Sequence, residues 1–564
     1  MTRVLIIGGV AGGASVAARV RRLDESAEVV MFERGPNVSF SNCALPFFLS
    51  RTVEKSENLV LMDPDQFKKQ YNIEARVNTE VIDILPDENK VVCKDLLTNE
   101  TFEDTYDKLF LSPGANPILP SSIKGIDKEH VFTVRNVVDI AKLDAYIQMH
   151  NIEDISVIGG GFIGIEVMEN LRDAKKNVTL VEAMDQVMTP FDKDMAQIIQ
   201  KEIIDAGVNL VVSDSLTEIK DDSIVLKSGK EIKAGLVVMA IGVRPETELC
   251  EKAGIELGVT GAIKTDANFR TNVKDIYAVG DAIEVYNSIT HKPTKLALAG
   301  PAQRQARAAA DDMYGRVVNN RGVIGSSCAR IFGLNTASTG LNVKTCVKEG
   351  IQHDFVYIIP GDKVGLMPTS SPMHFKLVFE VPTGKILGAQ AVGKGNVDKR
   401  IDVIATMITM GGTLDNLKEL ELCYSPLFST AKDVTNFAAL TALNILNGEF
   451  KQVKVDQVRS LVENNAFIID VREPNEYATG HLINAVNIPM SEFRQRLDEI
   501  PTDQPVYVHC RSAQRSYNVA RALGQLGFDN IYNISGSYLG ICTNQYFEDV
   551  TLNREKIVTE YNFN

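Results

Sequence analysis

Apolar residues in the first third of the chain occur as short continuous runs separated by glycine-rich turns and mixed stretches, a pattern typical of buried parallel strands alternating with helices. Val4–Ile7 precedes Gly8-Gly9-Val10-Ala11-Gly12-Gly13, and an Ala-rich segment then leads to an apolar run that ends at Glu33. The same succession returns from Ile155 to Glu182, around Gly159-Gly160-Gly161-Phe162-Ile163-Gly164. One such glycine motif is weak evidence, but two copies with strand, turn, helix, strand and terminal glutamate predict two dinucleotide-binding units.

The order of the remaining segments predicts that the first unit is discontinuous. An apolar run from Asp275 to Val279 ends in Gly280-Asp281 and predicts a strand near bound nucleotide, followed by a helix. We therefore expect a first dinucleotide-binding domain made of residues 1–150 and 263–325, with a second, residues 151–262, inserted between its halves.

The second half of the chain predicts two further domains. Strand-like runs at 375–379 and 386–392, followed by an apolar helix near 401–410, predict an α+β domain over residues 326–447. After a polar break near 447–454, strands at 467–471 and 506–510 and a helix from Ser512 to Leu526 predict a separate α/β unit over residues 455–555. The predicted fold class of the whole chain is α/β.

Composition excludes several function classes. The chain has 564 residues, of which 45% are hydrophobic and 23% charged, enough for several domains with large buried sites. Its net charge, 59 − 73 = −14, argues against a nucleic-acid or anionic-membrane partner. No leader-like start and no membrane-length apolar run is evident, so we expect a cytoplasmic protein without a membrane partner. The eight cysteines have no metal-ligand or disulfide spacing and predict reduced thiols and no metal site.

Each glycine motif predicts a pyrophosphate site, because its glycines permit a tight turn, close approach of the backbone to the ligand and close packing of the helix on the strand. The terminal glutamates should accept hydrogen bonds from adenosine ribose hydroxyls, and a carboxylate at Glu182 would repel a 2′-phosphate and favour NADH, although Lys175 and Lys176 lie nearby and leave NADPH possible. The residues expected to bind the two nucleotides are Gly8, Gly12, Gly13, Glu33, Arg34, Gly280 and Asp281 at the first site, and Gly159, Gly161, Gly164, Glu182 and Gly242 at the second.

Cys43 is the candidate redox nucleophile. It lies in Ser39-Phe40-Ser41-Asn42-Cys43-Ala44-Leu45-Pro46-Phe47, and Phe48 occupies the position where a Cys-x4-Cys partner would stand. A dithiol relay is therefore excluded here, and Cys43 must react with sulfur or oxygen that arrives from outside. A helix over Ala44–Leu49 would put the thiol at a helix N-terminus, where a thiolate is stabilised.

With these motifs, residues 1 to about 440 resemble the flavoprotein disulfide reductases, in which NADH reduces FAD and FAD passes electrons to sulfur. On this resemblance Asp281 lies at the flavin ribityl chain. The segment around Cys43 is similar to that of the single-cysteine coenzyme A disulfide reductases, which implies coenzyme A as ligand. An independent reason for assigning the arginines to coenzyme A is that arginine binds phosphate bidentately. Arg19 and Arg22 could also simply form a solvent-exposed helix face. The implied coenzyme A residues are Ser15, Arg19, Arg22, Ser39, Asn42, Gln303, Arg304, Arg307 and Lys432.

The same resemblance implies a homodimer. Glu421-Leu422-Cys423-Tyr424-Ser425-Pro426 is similar to the family segment whose tyrosine reaches the flavin and cysteine across the dimer, which makes Tyr424 a candidate proton or hydrogen-bond donor. The family's Tyr-Tyr-Pro-Gly segment is replaced here by Tyr357-Ile358-Ile359-Pro360-Gly361, with extra residues before Met373. Tyr357 is thus only a candidate for the second catalytic tyrosine.

A second resemblance covers about residues 455 to 550. Asp470-Val471-Arg472-Glu473, Gly480-His481 and the six-residue loop after Cys510 resemble a rhodanese domain, which implies capture of sulfane sulfur as a Cys510 persulfide with Arg515 near the entering anion. A loop of this length favours sulfur over phosphate, and Ala513 replaces the usual glycine, which leaves the donor open. Cys542 is either a resolving thiol or, in the simpler reading, a structural one.

These observations together predict an FAD-dependent reductase that uses NADH to reduce coenzyme A persulfide, polysulfide or coenzyme A disulfide, fused to a sulfurtransferase unit. One alternative is an NADH oxidase or peroxidase that cycles Cys43 as sulfenic acid. Another is a non-enzymatic redox sensor or sulfur carrier. The physiological sulfur acceptor and the route of sulfur between Cys510 and Cys43 remain open at this stage.

Overall fold

The computed structural model describes residues 1–563, which form two compact units. The first unit comprises Met1–Ala183 together with Ser213–Val323, and the second comprises Met184–Val212 together with the chain from Ile324 onward. Each unit contains helices and sheets, and the predicted α/β class is confirmed.

The first unit is organised around a five-stranded parallel sheet. Its central strand is the first strand of the chain, and the strand that precedes Gly280 adds to one edge, so residues from both ends of the unit share one layer. Apart from the edge strand Glu74–Arg76, which is half-buried, these strands are almost fully buried on both faces, as expected for continuous apolar runs in a parallel sheet. In spatial order the strands are Ile276–Ala278, Lys108–Leu111, Arg3–Ile7, Glu28–Phe32 and Glu74–Arg76.

A second parallel layer in the same unit carries the second glycine motif. Its adjacent strands are Asn177–Val181, Asp154–Ile158, Leu236–Met239 and Val131–Phe132. Antiparallel strands complete the unit: Thr79–Leu85, Lys90–Asp95 and Thr101–Thr105; Leu216–Ile219, Ser223–Leu226 and Glu231–Lys233; Ala115–Pro117 with Val243–Pro245; and Val285–Tyr286 with Pro293–Thr294.

The helices of the first unit differ from the expected pattern at one functional position. The helix expected directly after Gly280-Asp281 is a single 3₁₀ turn, Gly280–Ala282, and the long helix begins only at Ala299. The α-helices are Ala11–Leu23, Pro64–Tyr71, Val137–Met149, Phe162–Asp173, Glu248–Lys252 and Ala299–Met313, and the other 3₁₀ segments are Asn42–Phe48, Ser56–Leu59 and Pro86–Glu88.

The second unit contains two five-stranded sheets. The antiparallel sheet has the order Ser327–Ile331, Leu334–Gly340, Ile386–Gly393, Met373–Glu380 and His353–Ile358. The parallel sheet has the order Lys451–Val453, Ile531–Ile534, Val506–His509, Phe467–Asp470 and Val486–Asn487. These sheets correspond to the predicted α+β region and the predicted C-terminal α/β region.

The helices of the second unit cover these sheets. Those within or beside the antiparallel region are Lys193–Asp205, Val343–Glu349, Val397–Thr409, Leu414–Lys418 and Val434–Leu446. Those of the C-terminal region are Val458–Glu463, Pro474–Ala478, Gln514–Gln525 and Ser537–Thr551, with 3₁₀ segments Val455–Gln457, Phe493–Gln495 and Leu497–Glu499. Asn209–Val211 is a further short strand.

A buried ion cluster joins the antiparallel sheet to the helix Lys193–Asp205. The side chain of Lys376 is only 3% exposed, and its ammonium lies 2.8 Å from a carboxylate oxygen of Asp194 and 3.1 Å from one of Asp192. Gln390 donates to the Asp192 carboxylate at 2.8 Å. Two carboxylates therefore share one buried ammonium, so removal of that ammonium would leave both without a counter-ion.

We expect Lys376→Met to destabilise the second unit by about 3–5 kcal/mol, because it leaves two buried carboxylates uncompensated. Guanidinium denaturation followed by circular dichroism measures this as a lower transition midpoint. The matched control is Lys348→Met, at an exposed lysine of the same unit, which should leave the midpoint unchanged. The triple variant with Asp192→Asn and Asp194→Asn should recover most of the loss, and an unchanged midpoint in the single variant would contradict the role of the cluster.

Candidate active site

The first glycine turn is closed by contacts that no side chain could tolerate. A Cβ atom at Gly13 would overlap the carbonyl oxygen of Gly8, and one at Gly12 would overlap the hydroxyl of Ser112. Gly8 has a φ of +96°, in the region that favours glycine. The helix Ala11–Leu23 therefore begins directly on the end of its strand, with its N-terminal N–H groups at the strand's carboxyl end, as a phosphate site requires.

Glu33 closes the same turn from the neighbouring strand. One carboxylate oxygen accepts a hydrogen bond from the Gly9 N–H at 2.9 Å, and the other accepts from the Gly35 N–H at 2.8 Å. The guanidinium of Arg34 is paired with a different group, the carboxylate of Glu246, at 3.1 Å. The carboxylate predicted to bind an adenosine ribose thus lies at the turn, while Arg34 already has an anionic partner.

The second glycine turn repeats this construction. Gly159 has a φ of +110°, and a Cβ atom at Gly164 would overlap its carbonyl oxygen. A Cβ atom at Gly161 would meet nothing within 4 Å, which leaves open space above the helix N-terminus for a pyrophosphate. Glu182 accepts a hydrogen bond from the Gly160 N–H at 2.7 Å. Both turns fit the dinucleotides that their sequences predict.

Two other residues assigned to these nucleotides lie in turns with positive φ. Gly242, with a φ of +122°, connects the strands Leu236–Met239 and Val243–Pro245. Gly280, with a φ of +83°, donates its N–H to the buried Gln305 side chain at 2.8 Å. Next to it, burial raises the pKa of Asp281, so this carboxyl group lacks compensating donors and suits the hydroxyls of a polar ligand.

Cys43 lies in the first turn of the 3₁₀ segment Asn42–Phe48 and is exposed. The helix Phe162–Asp173 packs against this segment, and the Ser50 hydroxyl just after it donates to the Asn170 side chain at 2.6 Å. All eight cysteines are free thiols. The expected geometry of a solitary, accessible nucleophile is therefore present.

The prediction that the Cys43 thiolate is stabilised by the surrounding side chains and backbone is wrong. Burial raises the pKa of Cys43, and the negative charges of Glu166 and Asp281 raise it further. The segment is a short 3₁₀ turn rather than the α-helix expected over Ala44–Leu49, so it offers little dipole to oppose two carboxylates. Burial, followed by repulsion from Glu169, also raises the pKa of Glu166 to about 7.

A cleft of about 510 Å³ is lined on one side by the helices Ala11–Leu23 and Ala299–Met313, which pack against each other. It brings together seven of the nine residues assigned to coenzyme A from sequence, namely Ser15, Arg19, Arg22, Ser39, Gln303, Arg304 and Arg307. The sequence reasoning missed its apolar wall, formed by Met62, Phe67 and Tyr71. A signal was available, because Asp63-Pro64 begins a capped helix that puts Phe67 and Tyr71 on one face.

The arginines of this cleft are not equivalent. The Arg19 guanidinium is paired with Asp311, whose carboxylate accepts from Nε at 2.8 Å. Arg22 and Arg304 are exposed. Arg21 lies between Arg19 and Arg22 in the sequence. It is buried, and its guanidinium donates to the carbonyl oxygens of Tyr71 and Asn72, both at 2.8 Å. Arg21 therefore fixes the apolar wall, while Arg22 presents an exposed cationic charge to the cleft.

The other two coenzyme A candidates lie outside the cleft. Asn42 donates its side-chain N–H to the carbonyl oxygen of Arg135 at 3.1 Å. Lys432 belongs to the second unit and is exposed, as is Tyr424, whose side chain is 50% accessible. Leu427 and Phe428 nearby are also exposed, at 64% and 62%, so this segment presents an uncovered apolar surface.

Tyr357 is buried and does not fit the role of a second catalytic tyrosine. Its hydroxyl lies 2.5 Å from Nδ1 of His374, and its ring packs against the backbone at Gly536 in the C-terminal region. Burial also raises the pKa of Tyr357 above its usual value. This tyrosine packs the antiparallel sheet against the C-terminal region, a role that the altered Tyr-Ile-Ile-Pro-Gly segment did not reveal.

The C-terminal loop encloses Cys510, which is 1% exposed. The hydroxyl of Ser516 lies 3.6 Å from its sulfur and that of Ser537 4.0 Å away, and Ser537 also accepts from the Cys510 N–H at 3.1 Å. Behind the loop, Asp470 and Arg472 form a buried ion pair at 2.6 Å. The sulfur is thus surrounded by hydroxyl groups on a fixed base, as a persulfide site requires.

Arg515 has two partners in the structure. Its guanidinium donates to both oxygens of Glu476, at 2.6 and 2.7 Å, and its pKa is raised by this bond and also by the nearby Cys510 thiol. It is near the sulfur, as expected, but its charge is shared with an acid that the sequence analysis missed. Cys542 is fully buried and burial raises its pKa, which supports the structural reading rather than a resolving thiol.

The sequence comparisons agree with this division of the chain. Residues 2–306 match the family described as pyridine nucleotide-disulphide oxidoreductase, residues 328–434 match its dimerisation domain, and residues 454–544 match a rhodanese-like domain. The chain belongs to the pyridine nucleotide-disulphide oxidoreductase family. Membership confirms the predicted enzyme class and implies a flavin and a reduced pyridine nucleotide as cofactors; the exact domain boundaries stay predictions.

Individual relatives of this oxidoreductase extend the match. It is 32% identical to the coenzyme A disulfide reductase of Staphylococcus haemolyticus over 79% of this chain and all of the relative. The structure of reduced Bacillus anthracis CoADR-RHD superposes with a TM-score of 0.94 and 41% identity, covering 97% of this chain and 98% of that one. A NAD-dependent persulfide reductase from A. fulgidus gives 0.91 and 32%, covering 96% and 99%.

Two other features are absent from the part of the chain that the structure describes. Among residues 1–563 no cluster of three or more histidine, cysteine, aspartate or glutamate side chains is arranged to bind a metal ion. Over the same residues no helix is long and apolar enough to cross a membrane.

We expect Glu166→Gln to lower the pKa of Cys43, because it removes a negative charge that disfavours the thiolate. At pH 8 the flavin-loaded, pre-reduced enzyme should then react with iodoacetamide about threefold faster at Cys43, quantified by peptide mass spectrometry. The gain should fade below pH 7, where the raised pKa of Glu166 leaves the wild-type carboxyl protonated. The exposed Glu54→Gln is the control, and equal or slower alkylation in Glu166→Gln would refute the coupling.

We expect Ala513→Gly to stabilise the C-terminal region by up to about 1 kcal/mol, because Ala513 has a φ of +71°, which costs an L-residue more than it costs glycine. The matched control, Ala522→Gly, lies at an ordinary helical position and should lose about 1 kcal/mol. Thermal unfolding followed by circular dichroism compares the two variants. Equal destabilisation by both would show that the loop does not strain Ala513.

Proposed function

We propose that this chain is an FAD-dependent reductase that transfers two electrons from NADH to a coenzyme A persulfide, with coenzyme A disulfide and polysulfide as further acceptors. The overall reaction consumes one coenzyme A persulfide, one NADH and one proton, and yields coenzyme A, hydrogen sulfide and NAD⁺. The C-terminal rhodanese-like domain acts as a sulfurtransferase that supplies sulfane sulfur.

One observation carries this proposal: Cys43 is an exposed thiol in a flavoprotein fold, and Phe48 occupies the position where its Cys-x4-Cys partner would stand. An enzyme with one such thiol must form its mixed disulfide with a sulfur atom of the substrate. Attack of Cys43 on the coenzyme A sulfur of the persulfide releases hydrosulfide and leaves Cys43 joined to coenzyme A. Two electrons from NADH then break this disulfide and release the thiol.

The arginine-lined cleft supports coenzyme A as the carrier of that sulfur. Coenzyme A bears several phosphate charges, and the exposed Arg22 and Arg304 are suited to bind them, with Ser15 and Gln303 as polar contacts. Phe67 and Tyr71 offer an apolar wall to its adenine ring. Ser39 lines the same cleft four residues before Cys43, so a ligand that reaches Ser39 extends toward the thiol.

The first glycine turn, with Glu33 and Asp281, would bind FAD, and the second, with Glu182, would bind NADH. The flavin, when bound, accepts the hydride of NADH and delivers the electron pair to sulfur. The carboxylate at Glu182 favours NADH over NADPH, because it would repel a 2′-phosphate. Lys176 is paired with Glu153 at 2.9 Å, which reduces its value as a phosphate ligand.

The rhodanese-like domain favours a persulfide over a disulfide as the physiological substrate. A symmetrical coenzyme A disulfide has no sulfane sulfur for Cys510 to transfer, whereas a persulfide does. The exposed Tyr424, Leu427 and Phe428 favour a homodimer, in which the partner would cover this apolar surface and Tyr424 would act as a hydrogen-bond donor to the leaving thiolate.

The alternative is an NADH oxidase that cycles Cys43 as sulfenic acid. The structure of a water-forming NADH oxidase from Lactobacillus brevis is similar to this chain, with a TM-score of 0.76 and 27% identity over 79% of it. An oxidase of this kind would give neither the rhodanese-like domain nor the arginine-lined cleft a function. The persulfide reductase therefore accounts for more of the chain.

Steady-state turnover with matched acceptors tests the proposal. We expect a higher kcat/KM with coenzyme A persulfide than with coenzyme A disulfide, and a loss of at least about 100-fold on both in Cys43→Ser, because the nucleophile is gone. Cys510→Ser should abolish reduction that starts from a sulfane donor plus coenzyme A while leaving coenzyme A disulfide reduction intact. Cys328→Ser, at another exposed cysteine, is the control.

Two outcomes would overturn the proposal. Equal or better efficiency on the disulfide, together with no effect of Cys510→Ser on any sulfane donor, would refute the persulfide version. Oxygen consumption that depends on Cys43 and exceeds persulfide turnover would favour the oxidase instead.

A further inference from the structure

A hairpin of the antiparallel domain, residues 361–372, has an exposed apolar tip. This is the segment with extra residues before Met373 in the sequence. The tip, residues 364–367, reads Val-Gly-Leu-Met, so no side chain there can donate a strong hydrogen bond. Leu366 is 86% exposed. No tyrosine occurs between residues 358 and 423, so the hairpin offers no phenolic hydroxyl either.

The hairpin is held in shape by its own hydrogen bonds. At its base the Asp362 N–H donates to the Ser371 carbonyl oxygen at 2.9 Å, and the Ser371 N–H donates to the Asp362 carboxylate at 2.8 Å. Near the tip, the Met367 N–H donates to the Val364 carbonyl oxygen at 2.9 Å. The ammonium of Lys363 lies 3.4 Å from Asp362, so this cation already has a partner. The apolar tip is therefore presented in a defined conformation.

A buried arginine joins this hairpin to the segment of Tyr424. The Arg400 side chain is almost fully buried, and its guanidinium donates to the carbonyl oxygens of Asp362 at 3.2 Å and of Phe428 at 3.3 Å. Asp433 lies 3.3 Å from the same guanidinium and balances its charge. The centre of the tip is four residues from Asp362 and thus within about 14 Å of it. The hairpin and the Tyr424 segment are neighbours with one shared anchor.

The other side of the hairpin faces the rhodanese-like region. Gly361 and Pro372 line a cavity of about 200 Å³ together with Arg511 and Ser512, the two residues directly after Cys510. This packing holds the hairpin from a second side. The tip is therefore the part that is left for a contact outside the subunit.

A second copy of this chain is the occupant that the surface fits. The hairpin and the Tyr424 segment both lie within residues 328–434, which match the dimerisation domain of the family. Leu366, Leu427 and Phe428 are all exposed and uncharged, the composition of the core of an interface rather than of its rim. The hairpin tip thus extends the apolar surface that the partner subunit would cover.

We propose that the tip of this hairpin closes the Cys43 site of the partner subunit, where Leu366 makes the site selective for persulfides over disulfides. The inference rests on the homodimer of the proposed function, in which Tyr424 donates to the leaving thiolate, and it adds a second residue to that site. Because Arg400 fixes both segments, a dimer that brings Tyr424 to the partner's Cys43 also brings the hairpin close to it. Tyr424 then supplies a hydrogen-bond donor, and Leu366 an apolar wall without one.

The selectivity follows from the basicity of the two leaving groups. When the Cys43 thiolate attacks coenzyme A disulfide, the sulfur–sulfur bond breaks and its electron pair leaves with a coenzyme A thiolate, which takes up a proton. When it attacks the coenzyme A sulfur of the persulfide, hydrosulfide leaves instead. Both steps join Cys43 to coenzyme A, which the electrons of NADH then release. Hydrogen sulfide is a stronger acid than an alkyl thiol, so hydrosulfide depends less on a proton donor, and an apolar wall penalises it less.

Steady-state kinetics of the FAD-loaded protein with both substrates test this selectivity. Leu366→Tyr should raise kcat/KM for coenzyme A disulfide about tenfold, because it supplies a second hydroxyl donor, and should raise that for coenzyme A persulfide less than twofold. Leu366→Phe adds the ring without the hydroxyl and should lack the gain on the disulfide. Leu97→Tyr, at a leucine of the first unit that is 76% exposed, is the control for a new surface tyrosine.

Mixed dimers test whether the hairpin acts across the subunit interface. A chain with both Cys43→Ser and Leu366→Tyr is co-expressed with a wild-type chain, and the mixed dimer is purified through two different affinity tags. Its one remaining Cys43 lies in the wild-type subunit, which should show the gain on the disulfide, because the partner supplies the tyrosine. With the two substitutions on separate chains, the mixed dimer should keep the wild-type ratio of the two efficiencies.

Separate results bear on this inference and on the proposed function. A Leu366→Tyr variant without a selective gain on the disulfide, an equal gain in Leu366→Phe, or a gain that requires Cys43 and the tyrosine on the same chain would overturn the inference. A monomer in sedimentation velocity would overturn it together with the homodimer. If persulfide reduction by the wild type does not depend on Cys43, the proposed function itself fails. Unchanged flavin absorbance and thermal midpoint in each variant show that the fold is intact.

Discussion

Close approach of backbone to backbone at two glycine turns is the constraint on which the rest of the first unit depends. At Gly13 and at Gly164 the helix lies so near its own strand that any side chain would strike a carbonyl oxygen. Each helix N-terminus is thereby fixed at the carboxyl end of a parallel sheet, where phosphate binds best. The segment of Cys43 is attached to the first of these turns, since Ser39, four residues before Cys43, donates its N–H to the Gly9 carbonyl oxygen at 2.8 Å. The position of the thiol is thus set by the same turn that forms the nucleotide site.

Several arginines at or near the candidate sites are paired with carboxylates, and others are not. Arg34, Arg19 and Arg515 each contact a carboxylate. Arg511 and the exposed Arg22 contrast with them, and each lies at a cavity. In the opposite sense, Asp281 and Glu166 are carboxyl groups whose pKa values are raised by burial. Burying a charged group without a partner is costly, and at these positions a bound ligand could supply the missing partner.

Much of this architecture could be predicted from sequence, because glycine spacing and apolar runs reflect local backbone requirements. Both glycine turns, the lone Cys43, the discontinuous first sheet and the Cys510 loop were predicted in this way. All four arginines of the larger cleft were implied by a family resemblance. The pairing of Arg19 with Asp311 and of Arg515 with Glu476 was not predicted, because each joins residues on different elements and neither spacing gives a signal. The effect of Glu166 on the pKa of Cys43 could not be predicted for the same reason. The sequence predicts an α-helix where the structure has the 3₁₀ turn at Cys43, since Pro46 is compatible with both.

The ion pair between Arg19 and Asp311 has a consequence for how long a ligand stays in the larger cleft. A phosphate that approaches Arg19 meets a guanidinium already satisfied by a carboxylate, so part of the attraction is spent on displacing Asp311 or on tolerating its repulsion. When the phosphate departs, Asp311 is in place to re-form the pair. A carrier molecule that must be released after every cycle benefits from such a competitor, because moderate residence, rather than maximal affinity, permits rapid exchange of spent for fresh substrate.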